Sequence, residues 1–183
     1  MQGKQSDRGI GSAGISARAS NIVLIGMPGS GKSTVGVILA KKTSRVFVDT
    51  DVLIQTSQQR TLQQIVDTEG YGALRKIEER LLLNLALQNY VVATGGSAVY
   101  SVKAMAHLRS DGVIVFLDAD LATLRARIGD FSSRGLAKRA DQSFAELFEE
   151  RQALYRKHAD ITIPCAGKTQ EAVSDQIVEA IDH

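Results

Sequence analysis

The chain has 183 residues, 44% of them hydrophobic and 23% charged, and its 22 Lys+Arg against 20 Asp+Glu leave a formal charge of +2. Such a composition suits one globular domain, long enough to bury about 70% of its unfolded surface. It excludes the electrostatic footprint of a nucleic-acid or anionic-membrane binder, and no apolar run approaches the ~20 residues of a membrane span. Cys165 is the only cysteine, so no internal disulfide can form and a reducing compartment, the cytoplasm, is expected. With no activating partner nearby in sequence, that thiol reads as an apolar filler. Residues 1–20 are rich in Gly and Ser and lack the apolar core of a secretory signal, so a disordered tail is expected ahead of one domain over 21–183.

Asn21-Ile-Val-Leu-Ile-Gly26 reads as a short buried strand and Thr34 to Lys42 as a helix. Between them, Gly26-Met-Pro-Gly-Ser-Gly-Lys-Ser33 fits G-x-x-x-x-G-K-[ST], the phosphate-binding loop, in the strand–loop–helix context it requires. Gly26, Gly29 and Gly31 let the backbone turn tightly and aim N–H groups at a phosphate, and the helix adds its positive dipole end. A nucleoside triphosphate is therefore expected on Gly29, Ser30, Gly31, Lys32, Ser33 and Thr34. Lys32 supplies a mobile charge for the outer phosphates, and the Ser33 hydroxyl can ligate Mg²⁺.

Arg45 to Asp49 is a second strand, ending on acid, and helical character resumes from Asp51. Thr61 with Gln64 has capping-box spacing ahead of a helix reaching Glu69. Tyr71 to Leu87 reads as one longer helix, its Leu74, Ile77, Leu81, Leu82 and Leu85 forming a buried stripe. Tyr90 to Thr94 is a strand broken by Gly95-Gly96, and Ser101 caps a helix to Arg109. Val113 to Leu117 is the most hydrophobic strand, followed by a helix over Leu121 to Arg127. Residues 129–141 show no period and hold three basic residues. Phe144 to Lys157 is helical, Ile161 to Ile163 a strand, and Glu171 to Ile181 a final helix. Five apolar strands alternating with helices predict a three-layer α/β/α fold around a parallel sheet, with ligands at the carboxyl ends of the strands.

Asp49 and Asp51 flank Thr50 on that edge. If the chain stays extended there, both carboxylates point to one side, where one could serve a Mg²⁺ shell and the other an acceptor hydroxyl. Alternatively one caps the next helix and the other is solvated. His107 and His158 fall in predicted helices without a ligand partner and read as surface residues.

The arrangement resembles the shikimate kinases, small P-loop enzymes of aromatic amino-acid biosynthesis, from about Ile22 to the C-terminus. Their Asp-x-Asp is matched by Asp49-Thr-Asp51, their Phe-Arg-x-x-Glu by Leu74-Arg-Lys-Ile-Glu78, and their Gly-Gly-Gly by Gly95-Gly96-Ser97. Two lid arginines seven residues apart are matched by Arg127 and Arg134, and Arg-x-x-Leu-Tyr by Arg151-Gln-Ala-Leu-Tyr155. The resemblance implies ATP-dependent phosphorylation of the shikimate 3-hydroxyl under a mobile lid over about 129–141. It implies Asp49 beside Ser33 in the Mg²⁺ shell and Asp51 as substrate ligand and candidate base. Arg75 and Arg151 would clamp the substrate carboxylate, with Glu78 orienting Arg75, and Gly95 and Gly96 would approach the substrate. Arg127 and Arg134 would reach ATP, and Arg134 with Lys32 would stabilise the transferring phosphoryl group. A monomer is expected.

Three positions depart from the family pattern: Ser97 for its third glycine, Leu74 for an aromatic, and Gly135 for a lid proline. Two alternatives stay open. One is a related kinase for another hydroxylated or sugar acid. The other is a nucleotide-dependent ATPase or switch module, in which Val113 to Asp118 would be a Walker B strand.

Overall fold

The computed structural model describes residues 19–127, 135–139 and 141–182. The expected tail over residues 1–18, Arg134 and most of the expected lid lie outside the described residues. In chain order the elements are β1 (Asn21–Ile25), α1 (Lys32–Thr43), β2 (Val46–Asp49), α2 (Thr50–Gln58), α3 (Leu62–Glu69), α4 (Tyr71–Leu83), β3 (Tyr90–Ala93), α5 (Val102–Ser110), β4 (Gly112–Asp118), α6 (Leu121–Arg127), α7 (Phe144–His158), β5 (Ile161–Pro164) and α8 (Gln170–Asp182).

The five strands pair in parallel in the order β2-β3-β1-β4-β5. Val23 is in register with Val92 on one side and Ile114 on the other. Every residue of β1 is buried. A strand hidden on both faces is apolar wherever its side chains find no hydrogen-bond partner, which is why Ile22 to Ile25 run continuously and do not alternate. α1 packs on α8, and α4 on α5. The main core gathers Ile22, Leu24, Leu39, Leu82, Val91, Val115, Phe116, Leu147 and Tyr155. Phe116 and Tyr155 stack at 5.1 Å between ring centroids. A smaller cluster of Ile54, Ile65, Leu74 and Ala137 lies apart from it.

Two expectations need correction here. α4 stops at Leu83, four residues before the predicted Leu87. Asn84 turns the chain and its side chain donates to the Arg80 carbonyl at 2.8 Å. Leu85 and Leu87 then pack on the core from an irregular segment, so their apolar character extends the stripe without extending the helix. The chain also does not stay extended from Asp49 to Asp51, because α2 begins at Thr50 and Asp49 is its N-cap. The capping box at Thr61 and Gln64 forms as expected, and Ser143 with Glu146 makes a second one at the start of α7.

The segment between α4 and β3 is tied down by Asn21, which is 8% exposed. Its side chain donates to the Leu87 carbonyl at 2.7 Å and accepts from the Tyr90 N–H at 2.9 Å. Alanine there strands both backbone groups away from water. Asn21→Ala should lower stability by about 2–4 kcal/mol, read from urea denaturation midpoints at unchanged m-value.

Candidate active site

The carboxyl ends of β1, β2 and β3 open into a cleft of about 720 Å³ lined by the P-loop at one end and by Asp51, Glu78, Gly95, Gly96 and Arg151 at the other. At the P-loop end, Gly26, Gly29 and Gly31 all have positive φ. Lys32 is the first residue of α1 and only 8% exposed. Its ammonium donates to the carbonyls of Gly26 at 2.9 Å and Met27 at 3.0 Å. Burial lowers its pKa to about 8, although Asp51 and Asp49 pull the other way. Arg127 donates from α6 to the Ser30 carbonyl at 3.3 Å, and Ser33 and Thr34 line the cleft from the first turn of α1.

Asp49 caps the next helix and also meets the P-loop. Its Oδ1 caps α2 by accepting from the N–H groups of Asp51 at 2.9 Å and Val52 at 3.3 Å. Its Oδ2 accepts from the Ser33 hydroxyl at 2.5 Å. The cap fixes the carboxylate plane, which aims the second oxygen at the P-loop serine. Two hard oxygen donors therefore sit together where outer phosphates would lie, a donor set that suits Mg²⁺.

The other end of the cleft is built on bare backbone. A Cβ at Gly95 would overlap Glu78 Oε1 and Asp51 Oδ1, and one at Gly96 would fall 2.8 Å from Arg151 Nη1 and 2.9 Å from Pro28 Cδ. The Gly95 N–H donates to the buried Thr50 hydroxyl at 3.0 Å. Tyr155 donates to the Gly96 carbonyl at 2.7 Å, so α7 anchors that glycine. Burial raises the pKa of Asp51, with Lys32 opposing. Glu78 is 3% exposed, and burial together with Asp51 pushes its carboxyl up to about 7.

The three departures have distinct consequences. Ser97 has φ −99°, a conformation open to any residue, and its hydroxyl donates to Glu78 Oε2. Among the described residues, Glu78 Oε1 has no hydrogen-bond partner. Leu74 is buried, joins the small cluster with Ile54, Ile65 and Ala137, and lines the cleft. Gly135 has φ +58°, its N–H donates to Gln63 Oε1 at 2.7 Å, and a Cβ would overlap the backbone at Leu62 and Gln63. Proline has neither that φ nor an N–H, so glycine is what this docking of 135–139 requires.

Both expected clamp arginines point at one acceptor. Arg151, 1% exposed, donates through Nη2 to the Ala137 carbonyl at 2.9 Å, and Arg75 donates through Nη2 to the same oxygen at 3.1 Å. The expected orienting pair of Arg75 with Glu78 does not form, because Glu78 turns to Ser97. Arg75 instead lines an adjoining recess of about 160 Å³ with Tyr100. Its guanidinium lies 3.5 Å from the Tyr100 ring centroid and that of Arg151 lies 5.5 Å from it. Neither Tyr100 nor the Ala137 carbonyl was among the expected site groups.

Asp118 leaves the Walker B reading without support in the geometry. It accepts from Gln152 at 3.2 Å and pairs with Arg156 at 3.6 Å, while Asp120 caps α6 through the Thr123 N–H at 2.6 Å. His158 also departs from expectation: it closes α7 beside β5 and is 7% exposed, not a surface residue. His107 is exposed, as read. Cys165 is buried, and burial pushes its thiol up to about 11, in keeping with a filler.

A family model described as shikimate kinase matches residues 28–182. The shikimate kinase of Rippkaea orientalis is 39% identical over 165 residues, covering 88% of this chain and 87% of that protein. Among solved structures, a shikimate kinase from Acinetobacter baumannii in complex with shikimate superposes with a TM-score of 0.82 at 30% identity, over 89% of this chain and 93% of that one. The shikimate kinase of Aquifex aeolicus gives 0.76 at 34% identity, over 88% and 96%. A P-loop at one end of the cleft, arginines at the other, and a match spanning nearly the whole domain agree: the chain belongs to the shikimate kinase family.

Proposed function

We propose that the chain transfers the γ-phosphoryl group of ATP to the 3-hydroxyl of shikimate, giving shikimate 3-phosphate and ADP. The observation that carries this is the convergence of Arg75 and Arg151 on a single oxygen, across the cleft from the P-loop. Two guanidiniums aimed at one acceptor suit a planar carboxylate, and charge-assisted bonds to a carboxylate are roughly twice as strong as those to a neutral carbonyl. A substrate carboxylate therefore displaces the Ala137 carbonyl downhill, and the 135–139 segment must yield as it enters.

Asp51 stands between the arginines and the P-loop, placed to accept a hydrogen bond from the hydroxyl that attacks phosphorus. Its carboxylate aligns that oxygen and takes the proton as the bond forms. Its raised pKa suits that task, since a proton acceptor tuned upward holds what it receives. Lys32 gives up two carbonyls to meet the phosphates, and their negative charge drives its ammonium back to the fully protonated form. Ser33 and Asp49 would hold Mg²⁺, which when bound neutralises charge on the phosphate oxygens. Arg127 and Arg134 are assigned to ATP, Arg134 also to the transferring group. We assign Gly95 and Gly96 to the substrate through close backbone approach, and propose a monomer working in the cytoplasm.

ADP release by the purified chain with Mg-ATP should rise steeply on adding shikimate; release that ignores shikimate while ATP still binds discards the substrate. Asp51→Asn should lower kcat by about 10²-fold or more, in the range of a lost general base, with the KM for ATP little changed. Retained turnover would move the proton acceptor elsewhere.

Glu78 gives a pH signature in stability. Its carboxyl rises from 4.5 to about 7 on folding, so the folded chain holds that proton more tightly and stability falls as pH climbs through this window. Glu78→Gln removes the contribution. The variant should gain on the parent by up to about 1.4 kcal/mol per pH unit across the window and hold a constant lead above it. Denaturant midpoints of both proteins from pH 5 to 8 check this, and parallel curves would refute it.

A further inference from the structure

We infer that Tyr100 is a positioning residue for substrate binding: its ring holds the two clamp arginines at their working separation, its face under Arg75 leaving that guanidinium's in-plane donors free while its hydroxyl oxygen also accepts from Arg151. The inference rests on the reading of Arg75 and Arg151 as carboxylate ligands. Two cations that share one acceptor repel each other, and the usual remedy is a neighbouring carboxylate. Among the described residues, neither Arg75 nor Arg151 makes an ion pair. Tyr100 takes that place instead, with Arg75 Cζ 3.5 Å and Arg151 Cζ 5.5 Å from its ring centroid. Tyr71 adds a second ring to Arg75 at 5.1 Å.

The choice of a ring over an acid matters for ligand binding. A carboxylate partner would occupy the N–H groups that the substrate needs and compete with it directly. An aromatic face attracts a guanidinium through its plane, so the N–H edge stays available. The ring itself is held from its far side. Tyr100 donates its hydroxyl proton to Glu150 Oε1 at 2.6 Å, and Glu150 Oε2 accepts from Gln142 at 2.6 Å. Glu150 immediately precedes Arg151 on α7. One turn after β3 and one helix are thereby locked together around the arginine pair.

Steady-state kinetics of the full chain test this, with Mg-ATP and shikimate each varied. Tyr100→Leu should raise the KM for shikimate about 5- to 30-fold, the span of a desolvated cation–π contact, and leave the KM for ATP unchanged. Tyr100→Phe keeps the face and should raise the KM for shikimate far less than the leucine change, since the hydroxyl contacts with Glu150 and Arg151 are lost but the ring remains. Melting temperatures run alongside, and Tyr100→Gln, polar and ringless, provides the same comparison should the leucine variant fold poorly. Shikimate-dependent turnover with an unmoved shikimate KM in both ringless variants overturns the role of Tyr100 alone. Equal rises for ATP and shikimate, or a phenylalanine variant as impaired as the leucine one, also overturn it. A parent chain with no shikimate-dependent ADP release overturns the clamp itself, and the inference with it.

Discussion

Six ionisable side chains line one cleft, Lys32, Asp49, Asp51, Glu78, Arg127 and Arg151, and their mutual field governs what each can do there. Lys32, Glu78 and Arg151 are buried and Asp51 half-buried at the open edge of the sheet. Desolvation alone drives Lys32 down and both acids up, toward neutral forms that bind nothing well. Their opposite charges partly restore ionisation, Lys32 being held up by Asp51 and Glu78, and Asp51 held down by Lys32 and Arg151. The set is balanced three acids against three cations, which makes it tolerable without ligands. It is also unfinished, since among the described residues Glu78 Oε1 and the Nε atoms of Arg75 and Arg151 lack partners. The arginine donors' share of this demand is what anionic ligands satisfy.

Such crowding is possible only because the backbone under it carries no side chains. At Gly95 the space of a methyl group is taken by carboxylate oxygens of Glu78 and Asp51, and at Gly96 by Arg151 and Pro28. The strand that delivers these glycines, β3, lies between β1 with its P-loop and β2 with Asp49. Parallel topology brings all three carboxyl ends to one edge, so phosphate and acceptor sites adjoin because of strand order, not because of proximity in sequence.

Much of this was legible in the chain itself. The P-loop declares itself because phosphate binding demands small residues at fixed spacing. Asp49 and Asp51 stand out because a strand ending in acids faces the ligand edge. Arg151 and Arg75 were found through motif spacing; their burial and convergence were not, since both depend on helices distant in sequence. The Ala137 carbonyl leaves no trace at all, because every residue has one. Tyr100 was invisible for a related reason: a tyrosine in a turn means nothing until tertiary packing slides it under a guanidinium. The end of α4 misled because Leu85 and Leu87 are apolar for the core's sake, and periodicity cannot distinguish a helix from a segment packed just after it. Ser143 and Glu146 carry the same capping-box spacing as Thr61 and Gln64, so that start was readable from the same rule.

The departures from the family pattern make sense as one local rearrangement. With serine at position 97, Glu78 gains a hydroxyl partner and leaves Arg75 without its neighbouring acid. Arg75 then leans on Tyr100 and reaches the Ala137 carbonyl. Ala137 can present that carbonyl because Gly135, at φ +58°, lets the segment dock against Leu62 and Gln63. Leu74 packs beneath Ala137 in the small cluster, where an aromatic would need more room. A single carbonyl thus holds both guanidiniums in the geometry a carboxylate wants, but with weaker bonds than a carboxylate makes. On the proposed reading, the arginines are kept paired and desolvated before substrate arrives, and the strongest acceptor to enter the cleft takes them. Preorganisation of this kind lowers the ordering cost that binding would otherwise carry, and under the proposed clamp it would tie the release of residues 135–139 to the arrival of the acid.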